Sequence, residues 1–414
     1  MSDRKQLSSA ISGSRRLMVV AFAAMMVLTL AVPTFSAPTY TILYTFQGQA
    51  DGGFPNSGVY RDAAGNLYGI TNTAGNRSDC NGYGCGTIYR LTPNNEFSVL
   101  HTFTNVPDGW PNATWGSMIP DAAGNLFGVA SIGGIGNNGT AFSITPGGNF
   151  SVLHSFPTGE GDGLGPQYSL LRNKNGLIYG TTFGGGPGGL NGYGTIFLLT
   201  KATLGGGIVL HSFTGGDGAN PQGAIASDSA GNIYGTTGSG GTSGCGVVWK
   251  MNSSGLYKVL YHFKCAPDGY MGGSVVVDAQ GNVYGGTYEG GDPQSCPAFG
   301  CGIIFKVTPD GQETILHTFR DKEGAVPNEL MFDSKGLLWG TTAGGGTFGR
   351  GTIFTITTDG VYTDVYNFQG GMNGGVPYAG LVQDSQGNFY GTVGGGIVNC
   401  IQSGCGMVFK FTPQ

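Results

Sequence analysis

The sequence predicts an all-β fold: a single seven-bladed β-propeller over residues 37–414, closed by an N-terminal outer strand that completes the last blade. Three observations carry this expectation. One unit recurs seven times from Tyr40 onward, its length suits four short strands, and the two chain ends hold complementary parts of one unit.

The repeat is clearest as Asp-x-x-Gly-Asn-apolar-aromatic-Gly, at residues 62–69, 121–128, 228–235, 278–285 and 384–391, with variant copies at 173–180 and 333–340. Its turn glycines, Gly65, Gly124, Gly176, Gly231, Gly281, Gly336 and Gly387, follow one another at intervals of 50 to 59 residues. Without that period, 81 glycines and 19 prolines in 414 residues would point to low complexity. With it, they punctuate strands.

Within one unit an inner strand such as Val275-Val276-Val277 ends at the Asp-x-x-Gly turn, where Asp bonds its own backbone and Gly accepts a positive φ. Asn282-Val283-Tyr284 opens the second strand, a Gly-rich loop follows, Gly302–Val307 is the third strand, and Thr314–Phe319 is the fourth. β-Branched and aromatic residues alternate with small ones along these runs, as packed strands require. Tyr40–Phe46 is a fourth-type strand with no blade before it, and Met407–Thr412 is a third-type strand with no fourth after it. Pairing them closes the ring and removes two sheet edges. An open solenoid, the alternative, has no use for complementary ends.

Residues 1–36 read as a signal peptide. Arg4, Lys5, Arg15 and Arg16 precede the apolar stretch Leu17–Val32, and the small residues Thr34 and Ser36 place cleavage after Ser36. The Arg15-Arg16 pair also admits a twin-arginine route, and an uncleaved anchor is the other alternative. Beyond this segment 15 Lys/Arg face 23 Asp/Glu, a net charge of −8 with histidines neutral. With no basic patch, nucleic-acid binding is not expected. No later stretch reads as a membrane span, so the expected protein is a secreted, periplasmic or cell-surface monomer.

The strings Gly65-Asn66-Leu67-Tyr68-Gly69, Gly180-Thr181-Thr182, Gly194-Thr195-Ile196-Phe197 and Gly351-Thr352-Ile353-Phe354 resemble those of the GloVer tandem-repeat proteins, exported bacterial proteins with such a core and strand. The resemblance covers residues 40–414. It implies export and a propeller-like repeat, and implies no activity.

Cys80/Cys85, Cys296/Cys301 and Cys400/Cys405 each flank four residues in a loop before a third strand. Cys245 opens a third strand and Cys265 closes the fourth strand of the same blade, ends that antiparallel pairing brings together. Four disulfides, 80–85, 245–265, 296–301 and 400–405, are therefore expected on one rim of an exported protein. Zinc is not expected, because pairs in separate blades do not converge four ligands.

Histidine, the usual general base near neutral pH, offers no catalytic centre. His101, His154, His211 and His317 share one outer-strand position, His262 sits one place later, and repetition reads as scaffold. The Asp of Asp-x-x-Gly reads as a turn former. A second acidic series, Asp51, Asp108, Asp162, Asp217 and Asp268, stands before glycines on the cysteine rim, with Glu323 and Asn373 in that slot elsewhere. Such carboxylates could approach the channel mouth and hold Ca²⁺, or serve as ordinary turn residues.

After the prolines that follow come Asn56, Asn112, Gln167, Gln222 and Asn328, with Tyr378 in the seventh copy. Amides beside Trp110, Trp115, Tyr168 and Tyr270 suit sugar hydroxyls and sugar faces, and the alternative is that each amide bonds its neighbouring turn. Glu329 stands where other copies have Gly58, Ser117, Ser169, Ala224, Ser274 and Gly380, as a channel-mouth ligand or as the partner of Arg61 or Arg172. No Gly-Lys-Ser/Thr phosphate loop or Gly-x-Ser-x-Gly elbow with a partnered His occurs. The expected function is an exported binding module that takes a glycan or an exported protein on the cysteine rim, with no catalytic residue or cofactor assigned. A secreted polysaccharide lyase or hydrolase and a structural cell-surface protein are the alternatives.

Overall fold

Seven antiparallel blade sheets follow one another along the chain, and six of them are ordered from inner to outer strand as the sequence runs. The computed structural model describes residues 37–157, 161–199, 207–296, 300–395 and 405–413. The expected signal peptide lies outside them. Among the described residues there is no α-helix, only three single 3₁₀ turns.

Blade 1 runs from Tyr60–Arg61 to Phe97–Thr102, blade 2 from Ile119–Pro120 to Phe150–Ser155, and blade 3 from Leu171–Arg172 to Gly207–Ser212. Blade 4 runs from Ala219–Ser227 to Tyr257–His262, blade 5 from Gly269–Val277 to Glu313–Thr318, and blade 6 from Ala325–Pro327 to Tyr362–Asn367. Blade 7 contributes Val382–Gln383, Phe389–Val393 and Met407–Thr412, and its outer strand is Thr39–Thr45 from the other end of the chain. That strand runs antiparallel to Met407–Thr412, with Thr39 opposite Thr412 and Thr45 opposite Met407. The expected closure is the one observed.

The core is divided among the blade interfaces, one apolar cluster to each of the seven. Phe103, Met118, Leu126 and Phe142 pack between blades 1 and 2. Phe46, Leu67, Tyr89 and Val408 do so between blades 7 and 1. Rings such as Phe103, Phe142, Phe197 and Phe319 are fully buried, and each contributes about 2–3 kcal/mol by leaving water.

The repeated motif is legible in this packing. In blade 1, Asp62 Oδ1 accepts the Asn66 N–H at 2.8 Å, and Oδ2 accepts the Asn66 side-chain amide at 2.8 Å and the Tyr68 hydroxyl at 3.2 Å. The same set recurs at Asp228, Asp278 and Asp384. Asp, Asn and aromatic are thus one network that shapes the hairpin. The glycine after the aromatic leaves room for the third strand: a Cβ on Gly180 would fall 2.3 Å from Phe197 Cζ.

Adjacent blades are locked by the Pro and the third-strand glycine. Pro55, Pro166, Pro221, Pro327 and Pro377 lie against Gly406, Gly139, Gly194, Gly302 and Gly351 of the preceding blade, so closely that a Cβ on Gly194 would sit 2.6 Å from Pro221 Cδ. The residue before the proline then donates its N–H backward, as Phe54 does to Cys405 at 2.9 Å and Val326 to Cys301 at 2.9 Å. Phe54, Asn220, Val326 and Val376 take φ between 55° and 59° to do so. For the two valines this backbone is unfavourable and is held only by the surrounding contacts.

Three expected disulfides are present, Cys80–Cys85, Cys245–Cys265 and Cys296–Cys301. The fourth includes Cys400, which lies outside the described residues.

Candidate functional site

The acids of the cysteine rim are claimed by the outer strands. His101 Nε2 lies 2.8 Å from Asp108 Oδ2, His154 Nε2 3.0 Å from Asp162, His211 Nε2 3.1 Å from Asp217, and His317 Nε2 3.5 Å from Glu323. Where the His slot holds tyrosine, the hydroxyl donates instead: Tyr44 to Asp51 at 3.1 Å and Tyr261 to Asp268 at 2.8 Å. The same carboxylates accept backbone N–H groups, from Gln47 to Asp51 at 2.7 Å and from Thr104 to Asp108 at 3.1 Å. Asp51 and Asp108 therefore belong to clasps at the outer strands, not to the channel mouth. Among the described residues no group of three or more His, Cys, Asp or Glu converges as a metal site would require.

Four of the clasps are backed by a ring from the next blade. His101 stacks on Phe150 at 3.8 Å, His211 on Tyr257 at 3.9 Å, His317 on Tyr362 at 4.0 Å and Tyr44 on Phe97 at 4.1 Å, all within 8° of parallel. Two blades break the series: Gly207 of blade 3 lies against His154, and Glu313 of blade 5 occupies the backing position against Tyr261. Its Oε1 is buried without a partner, and burial, reinforced by the charge of Asp268, pushes its carboxyl up to about 7. A carboxyl raised this way stabilises the fold fully below its unfolded pKa near 4.5, and that contribution is lost as pH rises through about 7. Glu313→Tyr is expected to remove this loss and restore the stack, raising stability by about 1 kcal/mol at pH 8. Thermal unfolding of both proteins from pH 5 to 8 checks it, and parallel pH profiles would contradict it.

The amides do not form one ring. Asn328 Nδ2 donates to Pro377 O at 2.9 Å and Thr341 Oγ1 at 3.0 Å, tying blade 6 to blade 7. Asn56 is buried with Oδ1 unpartnered, and the Gln222 side chain, with Oε1 unpartnered, lies along Gly238. Asn112 is exposed, and its carbonyl accepts Asn72 Nδ2 at 3.1 Å. The Gln167 carbonyl accepts the Trp115 N–H at 2.8 Å. Trp110 is half-buried against the blade 1–2 cluster, its Nε1 donating to Asn72 O at 3.0 Å, and Tyr270 packs on the blade 4–5 cluster. These residues serve the blade junctions.

What the structure does bring together is the mouth of the axis. Trp115, Tyr168, Asn328, Glu329 and Tyr378 line it with Ser274 and Tyr288, residues drawn from five blades. The free space among them is narrow, with room for roughly one water. The Trp115 and Tyr378 rings meet at 5.5 Å and 52°, and the Tyr168 and Tyr288 hydroxyls are hydrogen-bonded to each other.

Glu329 leans over Gly380, where an added Cβ would fall 2.9 Å from its own. The inner strand of blade 6 is interrupted at this point, between Ala325–Pro327 and Met331–Phe332. Burial pushes the Glu329 carboxyl up to about 7. No arginine answers it: Arg61 lies over the Tyr390 ring at 5.4 Å, Arg172 stands at the Gly176 turn, and the ion pairs among the described residues all involve histidine. Of the two readings of Glu329, the pairing with Arg61 or Arg172 is not the one found, because both arginines sit at the opposite rim. Tyr288 was not foreseen. It fills a slot that holds Asn72, Ser131, Phe183, Gly238, Ala343 and Gly394 elsewhere, so repetition gave no signal for it, and Tyr168 stood out only as a neighbour of the amides.

Among solved structures, the extracellular domain of a protein assigned as a hybrid two-component system from B. thetaiotaomicron matches with a TM-score of 0.56 at 14% identity, covering 92% of this chain and 42% of that one. The extracellular domain of a one-component system assigned in the same organism gives 0.54 at 13% identity, again with 92% and 42% covered. A gluconolactonase from Xanthomonas campestris gives 0.43 at 13%, covering 75% and 87%. The chain spans 42% of the first two structures' length, and at these identities the first two likenesses are of fold. None of the curated proteins matches. The profile of the Gloeobacter/Verrucomicrobia repeat matches residues 29–187, 76–299 and 293–414. Since those spans take in every one of the seven units that build the blades, the chain belongs to the Gloeobacter/Verrucomicrobia repeat family.

Proposed function

We propose that the protein works outside the cytoplasm as a non-catalytic propeller module that docks another exported protein on its disulfide-bearing rim. The observation that carries this reading is the loop closed by Cys80–Cys85, which presents Tyr83 half exposed. A bridged loop with a 3₁₀ turn at Cys80–Gly82 is ordered before contact, which lowers the cost of binding. Ile135, Tyr193, Phe348 and Met372 are also exposed on loops of that rim, and exposed apolar side chains of this kind suit a protein contact. Disulfides fit an oxidising compartment, and the two extracellular domains of like fold support the same location.

A polysaccharide lyase or hydrolase gains no support from the axis. Space for about one water does not admit a sugar chain, and among the described residues Glu329 has no second carboxylate or histidine beside it to complete a catalytic pair. A glycan platform is disfavoured because Trp110 and Trp115 are committed to the blade junctions and the mouth.

Affinity capture from the medium of the native host tests the proposal. The wild type is expected to retain one exported protein. Tyr83→Ser/Ile135→Ser/Phe348→Ser should weaken that binding about tenfold or more, and Leu256→Ser/Val361→Ser on the opposite rim should leave it unchanged. Equal binding by both variants, a glycan-array signal without a protein partner, or self-assembly alone would overturn it.

A further inference from the structure

We infer that the axial mouth of the disulfide rim is a binding site for a primary ammonium group, with Glu329 as counter-ion and the rings of Trp115, Tyr168, Tyr288 and Tyr378 as its walls. This goes beyond the rim contact proposed above and stands on a different set of residues.

The lining selects the ligand by chemistry. Aromatic faces attract cations, most strongly where water is excluded, and one carboxylate with no lysine or arginine among the described residues paired to it sets the sign of the charge the site can accept. Ca²⁺ and Mg²⁺ want six or more oxygen ligands, whereas four of the large side chains here are aromatic. An ammonium head is about the size of a water molecule, and the space takes roughly one. It also carries three donors for the Glu329 carboxylate and the tyrosine hydroxyls. A quaternary ammonium is too bulky for the same space.

The groups facing Glu329 are Tyr168, Tyr288 and Tyr378, whose hydroxyls burial pushes up and keeps neutral. In the empty mouth Glu329 holds its proton up to about pH 7. A cation needs the carboxylate, so binding expels that proton and tightens as pH rises. The ammonium has two sources with one chemistry, a free small amine or a lysine side chain of a docked protein.

Calorimetric titration of the purified protein with methylammonium and with a lysine-bearing peptide tests the site. Affinity for both is expected to rise roughly tenfold between pH 5.5 and 8, with a proton released to buffer at the lower pH. Glu329→Gln should lose the binding and its pH dependence, and Trp115→Leu and Tyr378→Leu should each weaken it severalfold. Glu313→Gln, which removes a raised carboxyl at the blade 4–5 junction, should change nothing. A peptide that binds at least tenfold more tightly than methylammonium identifies the lysine source, and equal affinities identify the free amine. Equal binding by wild type and a folded Glu329→Gln, tetramethylammonium binding as well as methylammonium, or no pH dependence would each overturn the inference. Because no titrant touches Tyr83, Ile135 or Phe348, its failure leaves the rim reading standing, and the reverse holds.

Discussion

Deleting residues 39–46 is expected to abolish the folded ring and not merely trim one blade. This strand supplies the whole outer edge of blade 7, paired from Thr39 to Thr45 with the C-terminal strand. It also serves two interfaces. Tyr40 packs on Phe409 at 5.2 Å and Tyr366 at 5.0 Å on the blade 6 side. Phe46, 1% exposed, meets Tyr89 at 5.1 Å on the blade 1 side. Losing the burial of Tyr40, Ile42, Leu43, Tyr44 and Phe46 costs on the order of 5–10 kcal/mol, comparable with the total stability of a typical domain. The open array would also present two unpaired edges, a template for aggregation. Far-ultraviolet circular dichroism and soluble yield should both collapse for the truncated chain, and Phe46→Ala alone should cost about 3–5 kcal/mol. A truncated chain that melts like the wild type would show that closure is unnecessary.

The architecture was readable because each rule is written seven times. Asp62, Asp228, Asp278 and Asp384 make the same bonds to the Asn and tyrosine of the motif, so a turn inferred once was inferred everywhere, and the surplus strand at one end named its partner at the other. Radial position was not readable in the same way. Spacing told that Asp51 and Asp108 lie on the cysteine rim, but a residue on a rim can point to the axis or to the outer strand, and nothing in linear order separates the two. The clue was indirect: tyrosines 44 and 261 stand in for histidine two residues before the phenylalanine, a substitution that preserves a ring and a donor. Glu329 could be found because it interrupts a series of small residues, whereas Tyr288 sits in a slot with no series to interrupt.

The second large effect concerns that clasp, and it separates a structural from a catalytic histidine. His101→Ala is expected to destabilise the protein by about 2–4 kcal/mol, combining a buried acid stripped of its partner with a lost ring stack. Asp108 is 6% exposed, 2.8 Å from His101, and Phe150 lies parallel to the imidazole at 3.8 Å. Burial alone would raise the Asp108 carboxyl, but the bonds from His101 and Thr104 more than offset it and hold the group below its ordinary value. A carboxyl lowered this way stabilises the fold above its unfolded pKa of 3.8, and the contribution is lost as pH falls below that value. His101→Ala should therefore narrow the stability gap between pH 6 and pH 3 as well as lower the plateau. His101→Tyr is the informative companion. Tyr44 already donates to Asp51 at 3.1 Å while stacking on Phe97 at 4.1 Å, so tyrosine at position 101 should recover most of the loss. Denaturant unfolding of the three proteins at the two pH values decides it. If tyrosine fails to rescue while alanine destabilises, the slot requires imidazole itself, and the reading of these histidines as clasps for the outer strands would have to be given up.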